Sequence, residues 1–193
     1  MEWYQILLIA ISFIILIFVL ASDRVRVKGL IKAQIDVYRA YKPDKGALGS
    51  AVKGILIFIC SPIAISACLI WPFLFSFSST AAQAILTAFS ILLAIFVAVL
   101  TILVARRQNG NISVTEKTVI SQTLTTIAVS TFESLILIAI LIVYISLVEI
   151  KGVNLYVLVA LTNIIAACGI HIFLLAAMMV KRLFRVLEQD KIE

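Results

Sequence analysis

From residue 54 to residue 105 the chain runs through 52 consecutive positions without one charged side chain. A water-soluble fold has no place for such a run. Helices and strands at a soluble surface must put polar groups outward, and soluble domains carry roughly 25% charged residues to do so. This chain of 193 residues is 63% hydrophobic and 13% charged, too few polar side chains to cover a wetted surface. The composition therefore predicts an integral membrane protein and excludes both a disordered chain and an ordinary globular enzyme. Three prolines, seven glycines and the lack of an internal repeat point to one membrane domain over 1–193 rather than modules on linkers.

A helix crossing a ~30 Å hydrocarbon core needs about 20 mostly apolar residues. The 52-residue run is thus two spans, joined at the polar cluster Ser76-Phe77-Ser78-Ser79-Thr80. Spans are expected at about 3–21, 54–75, 81–105, 120–148 and 154–180. Val19 and Ala21 suit signal-peptide cleavage, which would leave four spans, but the start Met1-Glu2-Trp3-Tyr4-Gln5 lacks a basic leader. Barrel strands would alternate polar and apolar residues over ~9–11 positions, and no such alternation is present. The expected fold class is an all-α membrane protein with five, or four, transmembrane helices and a cytosolic amphipathic basic segment between the first two.

Cationic side chains set the orientation. Arg24, Arg26, Lys28, Lys32, Arg39, Lys42, Lys45 and Lys53 lie in segment 22–53, Arg106, Arg107 and Lys117 in segment 106–119, and Lys181, Arg182, Arg185 and Lys191 in the tail 181–193. Only Lys151 is left for the other side. Five spans place all three basic segments on one face, so the N-terminus is expected outside and the C-terminus in the cytosol. Trp3, Tyr4, Trp71, Tyr144 and Tyr156 then fall near the outer ends, where interfacial aromatics belong. The net charge of +6 is read as topology, with no direct nucleic-acid binding.

Segment 22–53 has helical patterning. Val27, Leu30, Ile31, Ile35 and Tyr38 recur on one face and Lys28, Lys32, Asp36 and Arg39 on the other, before Pro43-Asp44-Lys45-Gly46 ends the helix. Two readings stand side by side: an amphipathic helix on the anionic inner leaflet, or a docking surface for a cytosolic partner through Arg24, Arg26, Lys28, Lys32, Arg39, Lys42 and Lys45. Further on, Ser113-Val114-Thr115-Glu116 matches a capping box, which starts the fourth helix near Val114.

Polar groups inside the apolar spans are the candidate functional residues. Glu133 is sixteen residues from both Lys117 and Glu149, which puts it near mid-membrane. A charged carboxylate there costs at least ~2.5 kcal/mol, so Glu133 carries a proton or faces a polar partner or water. Thr123, Thr126, Ser130 and Glu133 form one stripe at 3-4-3 spacing. The third span carries Gln83, Thr87, Ser90, Ala94, Ala98 and Thr101, and the fifth Ala160, Asn163, Ala167 and His171. Such stripes signify interhelical packing and hydrogen bonding or a shared wet path. For Glu133, Ser130, Asn163, His171, Ser90, Thr87 and Gln83 the competing roles are gate, proton or ion coupling, and interhelical contact, with Glu133–His171 or Glu133–Asn163 as the expected pairings. Pro62 should kink the second span near Ser61. Cys60, Cys68 and Cys168 have no CxxC spacing or neighbouring ligands and read as packing residues. No nucleophile elbow, HExxH, Walker loop or paired carboxylates occur, so no catalytic residue, metal or cofactor is expected.

Residues 90–193 resemble small multi-pass membrane proteins of bacterial anti-phage systems. The carriers are Ile95-Phe96-Val97-Ala98-Val99-Leu100-Thr101-Ile102-Leu103 before a basic stop, Ser130-Thr131-Phe132-Glu133, and Ile170-His171-Ile172 before the last basic helix end. These look like RexB, the phage lambda exclusion protein. The additional first span and segment 22–53 depart from that four-span layout and bring the chain closer to KwaA, the membrane subunit of the Kiwa defence system. The resemblance implies a homo-oligomer of the bacterial inner membrane, for example a tetramer, working with a cytosolic DNA-binding partner. In the Kiwa picture the subunit senses envelope disturbance and scaffolds its partner. In the RexB picture it is a depolarising ion channel of an abortive-infection system. Five helices and one intramembrane carboxylate per chain do not enclose a pore within a monomer, so conduction would need several copies around an axis. A small transporter or transporter accessory protein is the further alternative, though inverted repeats with broken helices are missing.

Overall fold

A computed structural model describes residues 27–39, 56–108, 114–150 and 152–189. The expected first span, the Pro43-Asp44-Lys45-Gly46 break, the capping residue Ser113 and the end of the tail lie outside these residues, as do Arg24, Arg26, Lys42 and Lys45.

Every regular element among the described residues is helical. Helix α1 is Val27–Arg39. Helix α2, Ser61–Ile70, follows a π-helical turn over Leu56–Cys60 and ends in a 3-10 turn over Trp71–Phe73. Helices α3 (Ser79–Gln108), α4 (Val114–Val148) and α5 (Leu155–Gln189) are the long ones. Four stretches are long and apolar enough to cross a membrane: Leu56–Phe73, Ser79–Gln108, Glu116–Val148 and Leu155–Phe184. Large apolar side chains such as Ile63, Leu69, Phe73, Ile91, Ile102 and Phe173 cover their outer faces. That surface is compatible with a membrane location and would be poorly soluble in water.

Local chemistry sets the helix ends. Pro62 has no N–H to give the preceding turn. The wide π turn sits immediately before it, and Ser61 Oγ donates to Ile57 O in that turn (2.5 Å). The expected irregularity near Ser61 thus takes the form of a π turn. Leu74, in the left-handed region with φ of 45°, reverses the chain after α2. Ser78 caps α3: its Oγ accepts from the Ala81 N–H (3.2 Å) and its carbonyl from Ala82 (2.9 Å). Gly152 takes a φ of 93° in the turn before α5, a conformation that suits glycine. Asn154 then caps α5 through Oδ1, which accepts from the Tyr156 N–H (2.9 Å).

Helix α4 is the centre of the bundle. It packs along α3, α5 and α1, while α2 lies against α5. The inward residues of α3 are Ala82, Phe89, Phe96 and Leu103, a repeat of seven. They meet Ile120, Ile127, Leu137 and Leu141 of α4 and Ile165, Ile172, Leu175 and Met179 of α5. A strict seven-residue repeat is the packing geometry of bundles with slight left-handed crossing. Phe89 also crosses to α5: a Cβ built on Gly169 would meet the Phe89 ring at 3.3 Å, and the Phe89 and Phe173 rings lie 6.0 Å apart.

Two sequence expectations change here. Tyr144 is fully buried and belongs to the bundle core, not to an interfacial belt; of the expected interfacial aromatics, Trp71 and Tyr156 are exposed. Burial follows from its hydroxyl, which has two partners inside the bundle. On α1, Gln34 and Val37 are buried and Leu30 and Ile35 half-buried, so Gln34 joins the face that meets the bundle; the side chains of Val27, Ile31 and Tyr38 lie outside those described.

Candidate functional site

Helices α4 and α5 are neighbours in sequence, joined by a short turn, and therefore run antiparallel. Three polar ties cross between them. At the turn end, Thr162 Oγ1 donates to the Tyr144 hydroxyl (3.1 Å), which in turn donates to the carbonyl of Phe77 (2.9 Å). In the middle, His171 Nδ1 lies 2.8 Å from each oxygen of the Glu133 carboxyl. At the far end, Arg182 Nη1 donates to Gln122 O (3.3 Å) and Thr126 Oγ1 (3.2 Å), and Nη2 contacts Met178 Sδ (3.5 Å). Along α4 these ties sit at residues 126, 133 and 144, which are about 10 Å and 16 Å apart at 1.5 Å rise per residue.

The middle tie is the chemically distinctive one. The Glu133 and His171 side chains are 19% and 18% exposed. The carboxyl straddles one ring nitrogen, with both oxygens within hydrogen-bond distance of it. The other ring nitrogen, Nε2, is buried with no hydrogen-bond partner among the described residues. Ser130 Oγ, Thr131 Oγ1 and Asn163 Oδ1 are likewise buried and unpartnered. Ser130 is one turn before Glu133 and fully buried. Its backbone carbonyl accepts from Ser134 Oγ (2.8 Å). Buried polar atoms are nearly always satisfied by protein or water. Ser130, Thr131 and His171, all within a turn of the pair, therefore mark a polar site within an apolar bundle.

Of the two partners expected for Glu133, His171 makes the contact; Asn163 lies two turns away along α5, near the Tyr144–Thr162 tie. The third-span residues do not join the site. Gln83, Thr87 and Ser90 are exposed on the outer face of α3, opposite its core repeat. Thr87 and Ser90 donate to carbonyls of their own helix, Gln83 O (3.0 Å) and Leu86 O (2.8 Å), and Gln83 Nε2 reaches Ser79 Oγ (3.4 Å). Hydroxyls satisfied by the carbonyl four residues back need no partner helix. Within one chain these positions are therefore no interhelical contact.

Sequence reasoning missed Tyr144, Thr162 and Arg182 as bundle ties. Arg182 was open to detection: it stands eleven residues after His171, three turns along one face. Glu116, expected in a capping box, holds Arg106 Nε at 2.7 Å and so links the end of α3 to the start of α4. Of the docking candidates, Lys28, Lys32 and Arg39 lie on α1, and the Lys32 side chain is exposed. Among the described residues no group of His, Cys, Asp and Glu side chains could hold a metal ion. No protein-family model, curated protein or solved structure matches this chain.

Proposed function

We propose that the chain is a non-enzymatic, multi-pass subunit of the bacterial inner membrane, working as an oligomeric sensor and scaffold in an anti-phage complex. In this reading the N-terminus is outside and the C-terminus cytosolic, and the basic segment 22–53 with the tail docks a cytosolic DNA-binding partner. The resemblance to the Kiwa membrane subunit and to RexB supports the defence class. The observation that carries the mechanism is the packing of α1 against α4. The helix offered to the partner rests on the helix that bears Glu133, so a disturbance that repacks the α4–α5 seam shifts the docking helix with it. A shared rigid element of this kind is what a coupling between two sites requires.

The test is co-purification from cells that carry the chain with its neighbouring genes. Charge reversal at Lys32 and Arg39, or at Arg24, Arg26 and Lys28, releases the cytosolic partner, while Glu133→Gln leaves it bound. A partner retained by every charge-reversed variant removes the scaffold reading. The second reading, a depolarising ion channel built from several copies, is favoured by the intramembrane Glu133–His171 pair. It predicts that Glu133→Gln alters conductance in planar bilayers, and the lack of current with the partner present removes it.

A further inference from the structure

We infer that the turn over residues 71–75, where α2 meets α3, is a lipid-binding wedge seated at the boundary between headgroups and acyl chains, and that Phe77 ties its seating to the α4–α5 seam. The inference rests on the membrane part of the reading above and gives the sensor a place to meet the leaflet. Phe73 is 80% exposed, and Trp71, Leu74 and Phe75 are exposed beside it. Their surface continues the exposed apolar face of Leu69 and Ile63 on the span that the turn ends. No charged residue stands between Lys53 and Arg106, so the turn has nothing with which to recognise a charged partner.

A turn can enter an apolar medium only when its backbone groups are bonded internally. Here Pro72 has no N–H to satisfy. The Leu74 N–H donates to Trp71 O (3.2 Å) and the Phe75 N–H to Ile70 O (3.1 Å), the two bonds of a Schellman cap. That cap holds Leu74 in the left-handed region, at φ 45°, where glycine is the usual residue and a leucine is strained. In water an exposed leucine side chain offsets none of that strain; against acyl chains its transfer from water does. Trp71 supplies the amphipathic ring favoured at headgroup level, and Ser76 and Ser78 follow as a polar border.

Phe77 joins this turn to the bundle. The Phe75 and Phe77 rings meet edge to face with centroids 5.6 Å apart, and the Phe77 and Tyr144 rings do the same at 6.4 Å. The Phe77 carbonyl accepts from the Tyr144 hydroxyl, which accepts from Thr162 Oγ1. Phe77 therefore belongs both to the lipid-facing turn and to the tie between α4 and α5. A change in lipid packing that moves Phe75 acts on Tyr144 through the ring and the carbonyl of Phe77.

The chain has two tryptophans, so Trp3→Phe leaves Trp71 as the single indole fluorophore. The full chain with this change is reconstituted into phosphatidylcholine–phosphatidylglycerol vesicles containing a brominated phosphatidylcholine. Bromines near the carbonyl end of the acyl chains quench Trp71 more strongly than bromines near the chain terminus, and aqueous acrylamide quenches it weakly. Quenching dominated by the terminal bromines or by acrylamide overturns the inference. So does protection from all three, which marks a protein surface over the turn. Phe73→Ser removes the most exposed ring, and Leu74→Gly suits the cap and so keeps the fold. Each shifts Trp71 emission to the red and weakens the bromine quenching; an unmoved Trp71 in both overturns the wedge. Tyr144→Phe, which removes the hydroxyl bonded to Phe77, changes the ratio of the two bromine signals, whereas Thr162→Val, which spares that bond, does not. A ratio that stays in both variants, or moves in both, overturns the tie. Flotation of the chain with the vesicles tests the membrane reading separately, and partner co-purification bears on the scaffold alone.

Discussion

Replacing His171 by leucine keeps much of the ring's volume and removes the only side chain among the described residues seen bonded to the Glu133 carboxyl. The loss has a floor and a ceiling. Interhelical hydrogen bonds in membranes are worth about 0.6 kcal/mol on average and up to about 1.7. A carboxylate left unpaired at mid-membrane costs about 2.5–3.5 kcal/mol on insertion scales, and protonation relieves part of that. Glu133 is 19% exposed on its side chain, so its carboxyl keeps little access to water. The expected destabilisation for His171→Leu is about 2–3 kcal/mol. Glu133→Leu strands a neutral imidazole instead and costs about 1–2 kcal/mol. The double variant leaves no orphan, and leucine fits a bundle already lined by Leu137, Leu141 and Leu175; its cost is under about 1 kcal/mol. The cycle thus yields a coupling of about 2 kcal/mol or more. Equilibrium unfolding in mixed detergent micelles, followed by helical circular dichroism, measures all four proteins. Additive losses, with the double variant as weak as the sum of the singles, would refute the claim that the pair is a mutually dependent contact.

Tyr144→Phe removes the hydroxyl shared by Thr162 and Phe77 and lowers unfolding stability by about 1–2 kcal/mol; Thr162→Val added to it costs little more, because the partner is already gone. Gly169→Leu drives a side chain into the Phe89 ring, which a bare Cβ already approaches at 3.3 Å, and destabilises by about 1–3 kcal/mol in the same assay. Cys60 and Cys68 are exposed and Cys168 is half-buried. In intact membranes, lipid-soluble maleimide labels Cys60 and Cys68 and a charged impermeant reagent leaves them unreacted; rapid labelling of both by the impermeant reagent would contradict the membrane reading.

Hydrophobic length and the spacing of charge are properties of the chain itself, and among the described residues they were enough to place four of the five expected spans. The apolar runs around 56–73, 79–108, 116–148 and 155–184 have one economical solution in an apolar solvent, the helix, because every backbone group must be bonded within its own segment. Glu133 and His171 stood out for the same reason: an ionisable group in such a run needs a partner, and few were on offer. Periodicity also identified the Thr126–Ser130–Glu133 stripe correctly as one face.

Which neighbour a face meets is a different matter, and only the tertiary structure decided it. Helices α3 and α4 are apolar nearly all round, so no polar side marks the outward direction. The α3 stripe of Gln83, Thr87 and Ser90 turned outward because its hydroxyls are satisfied by their own helix, leaving the inward side to Ala82, Phe89, Phe96 and Leu103. Tyr144 went inward because Phe77 and Thr162 receive its hydroxyl there, and Arg182 folded back onto Gln122 and Thr126 from what reads as an ordinary basic tail. The physical reason is common to all three. Where solvent and core are equally apolar, burial supplies no direction, and orientation falls to individual hydrogen bonds between helices that are distant in sequence.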